Sequence, residues 1–243
     1  MITAQNGGYI YADETGAAQK WGKDGSGAKA MVEKMAEIRA AKALPFYDIT
    51  PAEVGGKLSP LLAGVPFAEK RLAIFKEFAS VENHGKMAKL LDSAFDGTAY
   101  KFDMSFVKKL AAIFPEGLGN DPFFKKATLT ALMAAGNAHH RGIKVDVADL
   151  AVAADYILPQ VLNADHVGIL SFNADLQETL EKRQLLPEDS NKVEALRAAA
   201  VVVCEKLSKL SGLTAQDIDA SLWLAGRKLQ NARPHMMCST TWF

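Results

Sequence analysis

The amino-acid sequence predicts an all-α protein, with a short β-hairpin or arm over residues 1–27 and one helical domain over residues 28–243. Helical periodicity recurs from Ala28 onward, and capping residues border the apolar segments. A chain of 243 residues can bury roughly 70 to 75% of its unfolded surface, so it needs no disulfide or metal ion to stabilise its fold. No repeat, low-complexity stretch or linker divides the chain, which favours a single domain.

The arm is the only part with a β pattern. Its segment GGYIYADETGAAQKWG has β-prone pieces on both sides of the turn-like sequence DETG. From Ala28 good helix formers take over, and the first helix is expected to stop before Pro45.

Each following helix is predicted from its own start or stop signal. Pro66 suits a first turn, Asp103 can cap a helix, and Asp121 with Pro122 can begin one that ends at Gly142. The segments predicted up to this point are residues 28–44, 66–81, 84–95, 104–114 and 123–140.

Three more helices are expected near the C-terminus. Residues 173–183 are amphipathic, Ser190 can cap residues 191–210 before Gly212, and Thr214 with Asp217 opens the last helix. Residues 233–243 follow neither period and are expected to pack as an extended tail.

Between these groups, residues 146–162 are predicted to form a helix with a buried acid. Asp146 can cap it, and Asp149 can complete a capping box. Asp155 then shares a face with Leu158 and other apolar residues, while Pro159 cannot donate to the carbonyl of Asp155, so a kink is expected there. Two interpretations stay open: a carboxylate facing a ligand, or a buried Asp paired with a Lys or Arg.

Composition limits the partners. Lys plus Arg and Asp plus Glu both number 28, so no net field favours nucleic acid, and no stable nucleic-acid complex is expected. No segment reaches the roughly 18 apolar residues of a membrane span, and no signal peptide is visible. Cys204 and Cys238 form no disulfide framework, and Cys204 is expected in the core. These features indicate a soluble cytoplasmic protein of unspecified oligomeric state.

Other candidate groups each have two interpretations. The five histidines lack zinc-ligand spacing, so neither a metal nor another cofactor is expected. The Gly-x-Gly turn before Asp121 is either a phosphate-binding hairpin or a plain interhelical turn. Glu194 and Arg197 form a surface pair or lie near the buried end of their helix, and Trp223 is expected in the core unless it stacks on a base.

Several strings in the C-terminal part carry a family resemblance. They are, in order, ADYILPQVL, GIL, SNKVEALRAAAVVVCEKL, SLWLAGRK and RPHMMCSTTWF. Together they resemble the queuosine salvage protein family, the queuosine 5′-phosphate N-glycosidases, and PLLAGVPFAEKRLAIFKEFA with FFKKAT extends the likeness back to about Ser59. The resemblance implies a helical fold like that of helix-hairpin-helix DNA glycosylases. It also implies hydrolysis of queuosine 5′-monophosphate, with release of queuine for transfer RNA.

The resemblance places the catalytic acid on Asp155 and a second acidic segment on Asp146 and Asp149. A carboxylate beside the anomeric carbon can stabilise the developing positive charge, activate water or attack directly. Asp149 or Asp146 is the candidate helper for the leaving base, although capping is the stronger interpretation for both residues.

The same resemblance implies a set of substrate-binding residues. Lys125, Lys126, Arg233 and His235 are the candidates for the 5′-phosphate, and Phe123, Phe124, Tyr156 and Trp223 for the base. Asp146, Glu194 and Arg197 complete the predicted binding set. The sequence departs from the family pattern at Thr128, Ile157, Met236 and Ser239. A base-excision glycosylase acting on DNA or RNA, and a non-catalytic protein that binds a modified nucleoside, remain the alternative functions.

Overall fold

A computed structural model describes residues 5, 9–22, 27–41, 51–229 and 233–242. They are mostly helical, which confirms the predicted all-α class; the finer likeness to helix-hairpin-helix glycosylases stays a prediction. The helices are α1 Gly27–Ala40, α2 Pro51–Leu58, α3 Ala68–Phe78, α4 Val81–Ala94, α5 Met104–Ile113, α6 Lys125–His140, α7 Ile157–Leu162, α8 Ala174–Glu181, α9 Asn191–Ser211 and α10 Ala215–Gly226. Residues 42–44, predicted to end α1, lie outside the described residues, and α2 was not predicted.

The predicted N-terminal hairpin is present. Strands β1 (Ile10–Ala12) and β2 (Ala18–Lys20) pair antiparallel, with Ile10 opposite Lys20. The carboxylate of Asp13 organises the turn, since its Oδ1 accepts the N–H groups of Thr15 at 2.9 Å and Ala17 at 3.0 Å. The DETG segment therefore reverses the chain as its composition indicates.

Two short parallel pairs join distant parts of the chain. Strand β3 (Tyr100–Lys101) pairs with β4 (Val145–Asp146), and β5 (Leu185–Pro187) pairs with β6 (Met237–Ser239). The tail is thus extended, as predicted, and strand pairing fixes its position beside the start of α9.

Most predicted helix caps are confirmed. The Asp103 carboxylate accepts the N–H of Phe106 at 2.9 Å, and Thr214 with Asp217 forms a capping box at α10. Pro66 is an exception: α3 begins only at Ala68, after a left-handed Phe67. The Pro66 carbonyl instead accepts the buried Arg71 Nε at 2.7 Å.

Buried side chains form clusters on both sides of the segment that carries Asp155. One lies among α4, α5 and α6, and another among α7, α9 and α10. Cys204 is fully buried in the second cluster, as predicted. Trp223 is 40% exposed, so its expected place in the core is wrong. Gly226 lets α10 approach α7, because an added Cβ at Gly226 would lie 2.3 Å from Ile157 Cγ2.

The helix predicted over residues 146–162 is wrong for its first eleven residues. Asp146 lies in β4, and its carboxylate accepts the N–H of Ala148 at 3.0 Å instead of capping a helix. Helix α7 begins only at Ile157. Pro159 is its third residue, where a missing N–H disrupts no intrahelical hydrogen bond, so the expected kink has no cause.

Candidate active site

The non-helical segment from Leu150 to Tyr156 presents Asp155. Buried side chains bond its backbone in place of a helical ladder. The Ala153 N–H donates to Asp219 Oδ2 at 2.8 Å, and the Ala154 carbonyl accepts Arg197 Nε at 2.9 Å. Because these polar groups are satisfied, the segment can cross the interior without helical hydrogen bonds.

Asp155 forms an ion pair with Lys125. The distance from Lys125 Nζ to Asp155 Oδ2 is 3.1 Å, and the two side chains are 5% and 12% exposed. The other carboxylate oxygen, Oδ1, accepts the N–H of Ile157 at 3.0 Å. The paired interpretation of this acid is therefore confirmed, and the partner is a lysine that the sequence placed in the substrate site.

A second ion pair fixes the two segments that carry Asp155 and Lys125. Arg197 binds Asp121 through two contacts of 2.7 Å, with 1% and 3% of the side chains exposed. Asp121 also accepts the N–H of Lys125 at 2.9 Å, at the start of α6. Since Arg197 also binds the Ala154 carbonyl, one guanidinium ties the start of α6 to the segment before Asp155. The pairing of Arg197 with Asp121 was not predicted.

Phe123 lies against this second pair. The Arg197 Cζ is 4.5 Å from the centre of the Phe123 ring, a cation–π arrangement that helps to orient the guanidinium. Phe124 adopts a left-handed conformation just before α6, with φ 53°, and packs against the α4–α6 cluster. The structure thus gives both phenylalanines packing contacts within the protein.

Asp219 is a buried acid that the sequence reasoning missed. It lies on α10, and burial raises the pKa of its carboxyl group to about 6, with the nearby Asp155 adding to the rise and Lys125 opposing it. The signal was readable, because Asp219 falls on the helical face of Ala215, Ile218 and Leu222. An acid on that apolar face marks the position much as Asp155 does.

Tyr156 and His235 lie beside the acid. Their ring centres are 4.7 Å apart, which brings the C-terminal tail to the segment that carries Asp155. Burial raises the pKa of the Tyr156 hydroxyl to about 12, helped by Asp155 and opposed by Arg227. The hydroxyl is therefore protonated at neutral pH and can donate a hydrogen bond. Burial lowers the pKa of His235, which makes its neutral form the prevalent one at neutral pH.

The remaining predicted residues are distributed around this centre. Lys126 is buried, and burial lowers its pKa well below the ordinary value, with Arg71 and Lys125 adding to the effect. Asp146 is exposed, and the exposed Asp149 forms an ion pair of 2.8 Å with Lys101. The exposed residues also include Glu194 in the first turn of α9, Arg233, which pairs with Asp165, and Trp223, which lies 5.5 Å from Arg227 Cζ.

Within the described ranges, no group of three or more His, Cys, Asp or Glu side chains is arranged to hold a metal ion. Over the same ranges, no helix has the length and apolar character needed to span a bilayer.

Fold and site define a helical protein with a buried carboxylate–ammonium pair that meets an aromatic C-terminal tail. Comparison with protein-family models matches residues 59–243 to the family described as queuosine salvage protein. The chain belongs to this family, which confirms the resemblance seen in its sequence.

One curated relative is a protein of Sphaerobacter thermophilus named queuosine 5′-phosphate N-glycosylase/hydrolase. It is 32% identical over 114 residues, a match that covers 44% of this chain. The match spans 35% of the relative's own length, about a third of that protein.

Proposed function

We propose that this chain hydrolyses the N-glycosidic bond of queuosine 5′-monophosphate and releases queuine. Membership of the queuosine salvage family and the name of the Sphaerobacter relative support this reaction and substrate. The observation that carries the proposal is Asp155, an 8% exposed carboxylate held by Lys125 beside the tail. Such an acid meets the main requirement of glycosidic bond cleavage, which is negative charge next to a developing cation.

Asp155 is the proposed catalytic acid. Breaking the bond between C1′ and the base builds positive charge on the ribose ring, and a low-dielectric site strengthens its attraction to a carboxylate. The Lys125 ammonium lies 3.1 Å from one carboxylate oxygen of Asp155, and the Ile157 N–H donates to the other, so both contacts orient the carboxylate. The carboxylate then stabilises the cation while water attacks, activates that water, or forms a covalent intermediate with C1′ that water hydrolyses.

The leaving base needs a proton from a second group. A 7-deazaguanine base has no N7 to accept one, so protonation must reach another base atom, directly or through water. Asp219, with a pKa of about 6, keeps its proton up to a pH closer to 7 than an ordinary carboxyl group does. It suits this role better than Asp146 or Asp149, whose side chains face solvent.

The tail and the residue after Asp155 are the proposed binding side. The Tyr156 hydroxyl donates to the base or ribose, and His235 presents its neutral ring next to it. Arg227 interacts with both Tyr156 and Trp223: it lowers the pKa of the Tyr156 hydroxyl, and its Cζ lies 5.5 Å from the centre of the Trp223 ring. A base bound next to Arg227 can contact this cation and the rings of Tyr156 and Trp223.

The test is turnover of purified protein with queuosine 5′-monophosphate and, separately, with queuosine, with free queuine followed by chromatography. Asp155→Asn is expected to keep the fold and lower the rate at least about 10²-fold, because a positioned acid–base group is lost. The matched control is Asp92→Asn, an exposed aspartate on α4, which should retain parental turnover. Tight binding of the monophosphate without release of queuine would instead indicate a nucleotide-binding protein.

A further inference from the structure

A small cleft has His235, whose ring packs against Tyr156, as part of its wall. Its volume is about 110 Å³, and its walls include Lys20 of the hairpin, Arg183 after α8, and Arg233 with His235 in the tail. These residues come from three separate parts of the chain. The strand register holds Lys20 opposite Ile10, and Gln160 Nε2 donates to the Arg233 carbonyl at 2.6 Å.

The charge of the cleft is one-sided. Its described lining contains three cationic side chains and no carboxylate. Arg233 pairs with Asp165, which lies outside the lining. Neither Lys20 nor Arg183 forms an ion pair with any residue that the structure describes. Two uncompensated cations at one concave surface repel each other, and an anion between them would relieve that repulsion.

Arg183 is held in a costly backbone conformation. Its φ is 50°, in the left-handed region that residues other than Gly, Asn and Asp seldom occupy. Backbone bonds from the Arg183 N–H to Leu180 at 3.0 Å and from the Gln184 N–H to Thr179 at 3.1 Å fix this turn. These two bonds form a common hydrogen-bond pattern at a helix C-terminus, in which the residue after the C-cap is left-handed. They fix the point at which the Arg183 side chain leaves the end of α8.

The cleft is connected to the proposed reaction centre through one ring. His235 forms part of its wall and packs against Tyr156, which directly follows Asp155. Lys20 and Arg183 lower the pKa of His235, and Asp155 raises it. The two cations and the acid therefore lie near the same imidazole ring. A nucleotide with its ribose at Asp155 can therefore direct a 5′-phosphate past His235 into the cleft.

We infer that Lys20 and Arg183 bind the 5′-phosphate dianion of the substrate, so that the N-terminal hairpin completes the active site. This inference rests on the proposed function. Charge-assisted hydrogen bonds from an ammonium and a guanidinium are the contacts that a phosphate monoester prefers. Lys20 lies outside the family-matched residues 59–243, so this inference assigns part of the phosphate recognition to a segment that the family model does not match.

The test compares two substrates in the Lys20→Ala/Arg183→Asn variant. Asparagine is chosen because it tolerates a left-handed backbone. The KM for queuosine 5′-monophosphate should rise at least about tenfold, whereas kcat/KM for queuosine, which has no phosphate, should stay at the parental value. The matched control, Arg39→Ala/Lys108→Ala, removes two exposed cations elsewhere and should leave both substrates unaffected.

Binding of ribose 5-phosphate, measured by calorimetry, separates this inference from the proposed reaction. If the parent protein hydrolyses neither substrate, the reaction is wrong, and the cleft is still tested by whether the variant weakens ribose 5-phosphate binding at least about tenfold. Unchanged kinetics with the monophosphate, or an equal loss on both substrates, would overturn the inference. Unchanged ribose 5-phosphate binding would overturn it as well.

Discussion

Two buried ion pairs lie next to each other at the start of α6, and they differ in how completely their charges are used. The carboxylate of Asp121 accepts two contacts from Arg197 and two backbone N–H groups, from Phe123 and Lys125. Asp155 has one contact with Lys125 and one backbone N–H. The first carboxylate is saturated, and the second keeps acceptor capacity that a substrate or water can use.

One pair therefore holds the region in which the other can react. A saturated, bidentate pair with 1% and 3% exposure holds its partners rigidly but offers nothing to a ligand. The Lys125–Asp155 pair has fewer hydrogen-bond partners and is more exposed, so it can exchange contacts during a reaction. We regard Arg197 as the positioning residue and Asp155 as the reacting one.

Breaking the saturated pair should give the largest effect on stability. Arg197→Met leaves the Asp121 carboxylate buried without its cation and removes the donor to the Ala154 carbonyl. The free energy of unfolding is expected to fall by about 3–5 kcal/mol, measured by urea denaturation. Asp155→Asn should cost less stability, because the Asn side chain retains an acceptor for the Ile157 N–H and one contact with Lys125 is lost instead of three with Arg197.

The double variant Asp121→Asn/Arg197→Met provides the control for Arg197. Removing both charges avoids an uncompensated buried ion, so part of the stability should return. A single Arg197→Met variant within about 1 kcal/mol of the parent would show that the saturated pair is not a structural anchor.

Much of this arrangement was visible in the sequence, and its limits have physical reasons. Caps such as Asp103 and Thr214 are local, so they predicted helix starts correctly. Asp155 was identified as a costly buried acid because its neighbours are apolar, and that part of the reasoning was right. The helix around it was wrong because Asp219 and Arg197 satisfy the backbone from sequence separations that no local pattern contains.

The partners in the site were harder to predict than its position. The family motif indicated Lys125 as a phosphate ligand, but nothing local indicates that Lys125 pairs with Asp155. Likewise, Lys20 and Arg183 meet His235 only because β6 pairs with β5 and the hairpin packs against β6. Long-range strand pairing of this kind leaves little trace in a single sequence.

Asp219 differs from the two ion pairs because its carboxyl group titrates near neutral pH. Its folded-state pKa of about 6 lies above the ordinary 3.8, so the folded protein binds its proton more tightly and loses stability as pH rises through this window. Asp219→Asn keeps an acceptor for the Ala153 N–H but cannot ionise. The variant should therefore be more stable than the parent at pH 8, by on the order of 2 kcal/mol, and similar to it at pH 4.

Urea denaturation at both pH values measures this difference. Asp92→Asn serves again as the control, because its exposed carboxylate should give the same small offset at pH 4 and pH 8. If the parent and Asp219→Asn had parallel stability profiles, Asp219 would not be the titrating acid beside Asp155.

The smallest effect is expected at the ion pair of Asp149 and Lys101, which is exposed to solvent, in contrast to the two buried pairs. Their side chains are 63% and 55% exposed, so water and salt screen the attraction between them. Asp149→Asn should change Tm by less than about 2 °C and leave turnover within about twofold of the parent.

The measurement is a thermal scan together with the queuine-release assay, with Asp219→Asn assayed in parallel. A loss of turnover at Asp149→Asn that exceeds the loss at Asp219→Asn would make Asp149 the second acid, as the family resemblance first indicated, and would require the segment after β4 to move toward Asp155 during the reaction.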